Sequence, residues 1–274
     1  MKLLIAVDME GITGVANWDH VTPTHPEYQR FRRLMTADVN AAVAGAADAG
    51  VEEIVVADGH WASSNILIEE LDPRARLNSG SPSPFSMVQG IADGVNAAFF
   101  IGYHARIGSQ NAILDHTWSS AAVANVWLNG LLTGEIGLNA ALCGSFGAPV
   151  LLLSGDQTAA AEARELLGEV ETAVVKQASG RFAAECLPPA VTAKLIRESA
   201  ARAVRRYQSG SAPAPLKVAL PATVTVEFIY SNMADMAAIL PAAVRLDARR
   251  VAYTAADMPT LYRAFRSLVG LANK

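Results

Sequence analysis

Asp8 and Glu10 end an apolar run, Leu3-Leu4-Ile5-Ala6-Val7, and Gly11 follows them directly. Such a run predicts a buried strand. Two carboxylates at its tip are costly unless something positive meets them. The pattern recurs twice: Asp58-Gly59-His60 follows Ile54-Val55-Val56-Ala57, and His104 follows Ala98-Phe99-Phe100-Ile101-Gly102-Tyr103. In an open α/β sheet, ligands bind beyond the carboxyl ends of the strands. Asp8, Glu10, His60 and His104 all fall at such ends, which describes a metal site built by a sheet edge. Mixed carboxylate and imidazole donors suit zinc, manganese or cobalt better than magnesium. Two acids, two histidines and one further acid would hold two ions with a bridging carboxylate. Ions roughly 3.5–4 Å apart can flank a scissile carbonyl.

Each motif has a plainer reading when taken alone. Asp-x-Glu can be a helix N-cap and a surface acid, and a lone histidine is more often structural than a ligand. The coincidence of three strand ends changes that balance. Glu135 is the candidate fifth ligand, in Thr133-Gly134-Glu135-Ile136-Gly137-Leu138-Asn139 at the first turn of a helix. A solvated acid favoured there by the helix dipole is the equal alternative. His116 lies in a polar loop running from Ile107 to Thr117. An imidazole there could take and return a proton near neutral pH, or be an exposed loop residue. His20 and His25 occupy a Pro-containing loop and are expected at the surface, as a rim of the substrate mouth. Ser154-Gly155-Asp156 ends another strand and could support the site. Lys176 and Arg181 read as a charged face rather than as contacts to a substrate carboxylate. No Walker loop, dinucleotide glycine fingerprint or Gly-x-Ser-x-Gly elbow is present.

The elements that must position these residues alternate. Strands are predicted at 3–8, 53–57, 97–103, 150–153 and 170–175, and helices at 27–49, 84–92, 135–146 and 157–167. Asn129-Gly130 predicts a hairpin between 123–128 and 131–132, adding antiparallel character to the sheet. A long helix is predicted over 189–207, then a Ser/Gly/Pro-rich stretch at 208–215. Strands at 223–228 and 251–254 and helices at 233–240 and 257–272 follow. The expected architecture is α/β: a three-layer α/β/α arrangement with a mixed, mostly parallel sheet, plus a smaller C-terminal α+β unit. The corresponding domains are 1–185, carrying the metal, and 186–274.

The chain has 274 residues, 51% hydrophobic and 18% charged, so a sizeable core is affordable and disorder is not expected. A net charge of −4 argues against a nucleic-acid surface. Cys143 and Cys186 are the only cysteines, which favours free thiols over a disulfide. No stretch approaches the ~18 apolar residues of a membrane span, and the first residues are too short an apolar run for a secretory signal. The reading is a reduced, cytoplasmic protein.

Taken together, the blocks resemble the zinc-dependent D-aminopeptidase family, the DppA-like metallopeptidases. Ala6-Val7-Asp8-Met9-Glu10-Gly11 is similar to that family's Ser-x-Asp-x-Glu-Gly signature, with Ala6 in place of the usual Ser. Asp58-Gly59-His60, Pro84 to Val88, Gly102 to Arg106, Gly134 to Ala140, Ser154-Gly155-Asp156 and Val175-Lys176-Gln177 also resemble family blocks. The resemblance runs from residue 1 to about 190 and weakens beyond. It implies two zinc ions per chain, with manganese or cobalt as substitutes. It implies Asp8 as the bridging ligand, with Glu10, His60, His104 and Glu135 completing the set, and His116 as the residue assigned as catalytic nucleophile. A proton-shuttle role for His116 is the more natural chemistry. The resemblance further implies short peptides as substrates and a ring-like homo-oligomer with an internal chamber.

The leading expectation is therefore a metallo-aminopeptidase removing the N-terminal residue of short peptides. D-amino-acid peptides are implied by the resemblance, and L-peptides are compatible with the site chemistry. A two-metal phosphoesterase or nuclease is the first alternative, against which the two histidines and the acidic balance speak. A non-catalytic peptide-binding accessory protein, which would not need His116, is the second.

Overall fold

The computed structural model describes residues 1–273. The apolar run near the start forms β1 (Lys2–Val7), and after a loop α1 (Tyr28–Asp48) crosses back to β2 (Glu53–Asp58). β3 (Ala75–Asn78), β4 (Ala97–Ile101), β5 (Val123–Leu128), β6 (Leu131–Leu132) and α2 (Glu135–Ser145) follow. Then come β7 (Val150–Asp156), α3 (Gln157–Leu167), β8 (Glu171–Gly180), β9 (Ala183–Cys186) and α4 (Pro189–Gln208). The chain closes with β10 (Ala222–Phe228), α5 (Ser231–Ala237), β11 (Val244–Arg245), β12 (Arg250–Ala255) and α6 (Met258–Ala272).

Seven strands build the main sheet in the order β3-β2-β1-β4-β7-β8-β9, parallel except at the β8–β9 edge. Its central strands are buried on both faces, which explains their unbroken apolar sequence. On one face, Phe31, Met35, Val39 and Val43 of α1 and Ile196, Ala200 and Val204 of α4 pack with Leu3, Ile5 and Val7. On the other, Ile136 and Ala140 of α2 and Ala159 and Ala163 of α3 pack with Leu4, Ala6, Phe100 and Leu153. This is the expected three-layer α/β/α arrangement.

The β5–β6 hairpin does not add to that sheet. It joins a second, five-stranded sheet, β11-β12-β10-β5-β6, in which β5 pairs antiparallel with β10. The second sheet therefore takes strands from both sides of residue 185, and α4, beyond residue 185, packs on α1 in the first layer. The helix expected at 84–92 contracts to a single 3-10 turn at Ser86–Val88. Short β3, β9 and β11 appear at sheet edges where no strand was predicted.

Parallel pairing places the site. Val7 aligns with Asp58 of β2 and with Ile101 of β4, so three strands end on one edge within a residue of each other. Past that edge the chain is drawn in tightly. The amides of Asp8 and Gly11 donate to the carbonyls of Ile101 (2.9 Å) and Gly102 (2.8 Å). A Cβ on Gly11 would stand 2.1 Å from the Tyr103 carbonyl oxygen, and one on Gly102, at φ +74°, 2.3 Å from that of Asp8. Only glycine permits this approach.

Two buried side chains fix the loop after β1. Lys176 donates to the carbonyls of Glu10 (2.6 Å), Ile12 (2.8 Å) and Val15 (2.7 Å). Burial pushes its ammonium down to about 8. Asp38 of α1 accepts from the Thr13 amide (2.9 Å) and hydroxyl (2.9 Å), and burial raises its carboxyl to about 6 despite those bonds. A folded-state value above the unfolded one means this group's stabilisation is complete below the unfolded pKa of 3.8 and is lost as pH rises through about 6. Wild-type protein is expected to lose roughly 2–3 kcal/mol relative to Asp38→Asn between pH 4 and pH 7. Urea unfolding of both proteins across that range checks it; parallel stability curves would contradict it.

Candidate metal centre

All six candidate residues are buried and converge where β1, β2 and β4 end. Asp8 follows β1, and its two oxygens face different imidazoles. Oδ1 lies 3.4 Å from His60 Nδ1 and Oδ2 lies 3.3 Å from His104 Nε2. Glu10 Oε2 is 3.2 Å from His60 Nδ1, and Glu135 Oε1 is 3.3 Å from His104 Nε2. His116 stands further off, its Nε2 3.8 Å from Glu135 Oε1, with its ring stacked on His104 at 4.1 Å between centroids. Asp8, Glu10 and His104 bring donor atoms within 4.8 Å of one another, and so do His104, His116 and Glu135.

The imidazoles are oriented from behind. His60 Nε2 lies 2.8 Å from the Val21 carbonyl, His104 Nδ1 2.9 Å from that of Ala105, and His116 Nδ1 2.9 Å from that of Leu114. A carbonyl can only accept, so each of these nitrogens carries the proton. In the neutral ring the lone pair is then on the nitrogen facing the centre, the arrangement metal-ligating histidines use.

The loops that carry them are equally tied. Asp58 does not cap a helix; it accepts from the amides of Asn65 (2.6 Å) and Ile66 (2.9 Å) and from the Asn65 side chain (2.7 Å), which itself donates to the His60 carbonyl. Asp156 caps α3 and accepts from the Ile113 amide (2.7 Å), anchoring the His116 loop. Ser154 Oγ accepts from the Gly102 amide (2.9 Å). Glu135 opens α2, and its Oε1 accepts from the Trp118 amide (2.7 Å).

Charge at the centre calls for a cation. Burial pushes the His60 and His104 imidazoles down, but Glu10 and Asp8 around His60, and Glu135 and Asp8 around His104, outweigh it and hold both well above the usual histidine range. Burial likewise pushes Asp8 up, yet the adjacent His104 and His60, when protonated, hold its carboxyl well below the usual range. Without a cation, protons would fill that role. Glu10 Oε2 and His104 Nε2 are buried without a hydrogen-bond partner, though charged neighbours stand 3.2–3.3 Å away. The four close contacts span 3.2–3.4 Å. Donors about 2.0–2.1 Å from a tetrahedral zinc lie about 3.3–3.4 Å from one another. The residues fit a metal on the chemistry of the donors and on their spacing.

A cavity of about 540 Å³ opens over the centre, lined by Asp8, Glu10, His60, His116 and Glu135 and walled by Trp18, Trp61, Met87, Trp118 and Arg266. Trp18, Trp118 and Arg266 escaped sequence reasoning; loop aromatics and a residue on a distant closing helix carry no local signal for a shared wall. His20 does not line this cavity but stacks on Phe31 at 3.8 Å, and His25 stands 3.8 Å from Asp19. Lys176 is a buried clamp, and Arg181 pairs with Asp115 at 2.9 Å; neither faces the cavity.

The family model for D-aminopeptidase matches residues 1–267, further along the chain than the sequence blocks had reached. A D-aminopeptidase of Bacillus subtilis (strain 168) is 37% identical over 273 residues, covering 99% of this chain and 98% of the relative. The solved structure of the Zn-dependent D-aminopeptidase DppA from Bacillus subtilis, a self-compartmentalizing protease, superposes with a TM-score of 0.95 at 36% identity. That match covers 100% of this chain and 98% of the other. With the strand-end carboxylates and imidazoles in place, the chain belongs to the D-aminopeptidase family of peptide hydrolases.

Proposed function

We propose that this protein removes the N-terminal residue, of D configuration, from short peptides with two zinc ions held at the strand-end centre. The observation that carries the reading is Asp8, whose two oxygens stand 3.4 and 3.3 Å from two different imidazoles. One ion would take Asp8, Glu10 and His60; the other would take Asp8, His104 and Glu135. Bound zinc supplies Lewis acidity, polarising the scissile carbonyl and making water nucleophilic near neutral pH. The zinc dependence of the Bacillus relative supports the choice of metal.

The chain's own groups do the rest. His116 Nε2 faces the centre with its Nδ1 proton committed to the Leu114 carbonyl, so it can accept a proton at Nε2 and return it to the departing amine. Stacking on His104 and edge contact with Trp18 fix its ring plane. The tryptophan walls shield the centre from bulk water.

The self-compartmentalizing relative supports a homo-oligomer here too. Leu220, Tyr230, Ile239, Val244 and Leu246 leave apolar surface exposed for such contacts. A monomer mass by light scattering would remove that part of the reading. No described helix is long and apolar enough to cross a membrane. Exposed Cys186, a free thiol, suits the reducing cytoplasm.

The test is a substrate panel on zinc-loaded enzyme: D-Ala-D-Ala, L-Ala-L-Ala and a phosphodiester. Release of alanine from the D-dipeptide, abolished by chelation, is expected. Phosphodiester cleavage without peptide hydrolysis would turn the assignment to a phosphoesterase, and activity confined to the L-dipeptide would overturn the stereochemistry.

A further inference from the structure

The cavity has an unequal charge distribution. Asp8, Glu10 and Glu135 gather at the metal centre, whereas Arg266 on α6 is the one arginine or lysine among the described residues that line it. Its Nη1 donates to the carbonyls of Ser83 and Pro84 (3.0 Å to the latter), which sets the plane of the guanidinium. The other guanidinium nitrogens make no hydrogen bond within the described chain. Partial burial pushes the guanidinium down from its ordinary value, and no carboxylate of the described residues acts on it in return.

α6 is a rigid mount for this group. Trp118 packs edge-on against Tyr262 (5.8 Å) and Phe265 (5.2 Å), and the Trp118 amide binds Glu135. The helix that carries Arg266 is therefore linked through Trp118 to a proposed metal ligand, Glu135. A half-buried arginine without a counter-ion among the described residues is costly, and a planar anion from solution offsets that cost by bidentate hydrogen bonding. A peptide whose first peptide bond sits at the metal centre extends its C-terminal carboxylate away from it. An extended dipeptide spans about 7 Å and a tripeptide about 10 Å, lengths that a cavity of about 540 Å³ contains.

We propose that Arg266 receives the C-terminal carboxylate of a di- or tripeptide substrate and so restricts the enzyme to short peptides with a free C-terminus. This rests on the peptidase reading above. The experiment compares D-Ala-D-Ala with its C-terminal amide, D-Ala-D-Ala-NH2, on the zinc-loaded enzyme. Wild type is expected to favour the free acid by about 10- to 100-fold in kcat/KM, mainly through KM. Arg266→Ala should bring the acid-to-amide ratio close to one through loss on the acid, and Arg266→Lys should restore part of it. Equal wild-type rates on acid and amide would overturn the assignment of Arg266 and leave the hydrolase intact. So would an Arg266→Ala ratio that stays at the wild-type value. Hydrolysis of neither compound by wild type would instead overturn the peptidase reading on which the assignment depends.

Discussion

Asp8→Ala is expected to empty both halves of the centre and lower kcat/KM by about 10³-fold or more, with the fold retained. Of the other acids, Glu10 faces only His60, and Glu135 faces His104, with His116 further off at 3.8 Å. Asp8 alone faces both His60 and His104. Its removal takes a donor from each proposed ion at once and leaves two acids to compensate two divalent charges. Loss of a group merely behind a ligand costs 10- to 100-fold in metal affinity or activity, so loss of a shared ligand must cost more. A 10³-fold drop corresponds to about 4 kcal/mol of transition-state stabilisation. The fold should survive because alanine keeps the Asp8 amide bond to the Ile101 carbonyl, and the Asp8 carboxylate's one hydrogen bond from the backbone comes from the neighbouring Met9 amide. Zinc content by atomic emission, with circular dichroism on the same samples, checks this. An Asp8→Ala protein that keeps both ions and its activity would contradict the shared-ligand role.

His116→Ala should behave differently, losing activity while keeping zinc. Its Nε2 is the outlying nitrogen, at 3.8 Å from the nearest carboxylate oxygen against 3.2–3.4 Å for the other pairs. Loss of a positioned proton-transfer group costs typically 10²–10⁴-fold, so kcat is expected to fall by that amount with metal content unchanged. A variant that instead loses an ion would place His116 among the ligands, alongside His104 and Glu135, with which it already shares a 4.8 Å cluster.

The convergence of the candidate residues was legible because it rests on local signals. Apolar runs ending in Asp8, Asp58 and Tyr103-His104 mark strand ends, and parallel pairing brings those ends to one edge without further information. Helices α1, α2, α3, α4 and α6 fall where expected to within a few residues. What failed depends on distant partners. The Asn129-Gly130 hairpin was recognisable as a hairpin, but its sheet is decided by β10, some hundred residues later. Edge strands β3, β9 and β11 have two to four residues and no alternation to read. The segment at 84–92 has apolar residues at helical spacing, but Gln89 turns extended (ψ 133°) and Gly90 takes φ +99°, which ends the helix after one turn. Lys176 looked like a surface charge because nothing near it in sequence reveals three carbonyls of the β1 loop waiting for a donor. Arg266 escaped notice for the same reason: its importance comes from the cavity that α6 helps to close.

The central claim is that acids and imidazoles from separate strand ends share two metal ions through Asp8. Anomalous diffraction at the zinc edge from crystals of the zinc-loaded protein tests it most directly. Two peaks are predicted, roughly 3.5–4 Å apart, one on each side of the Asp8 carboxylate. A single peak, or zinc bound away from Asp8, His60 and His104, would contradict it.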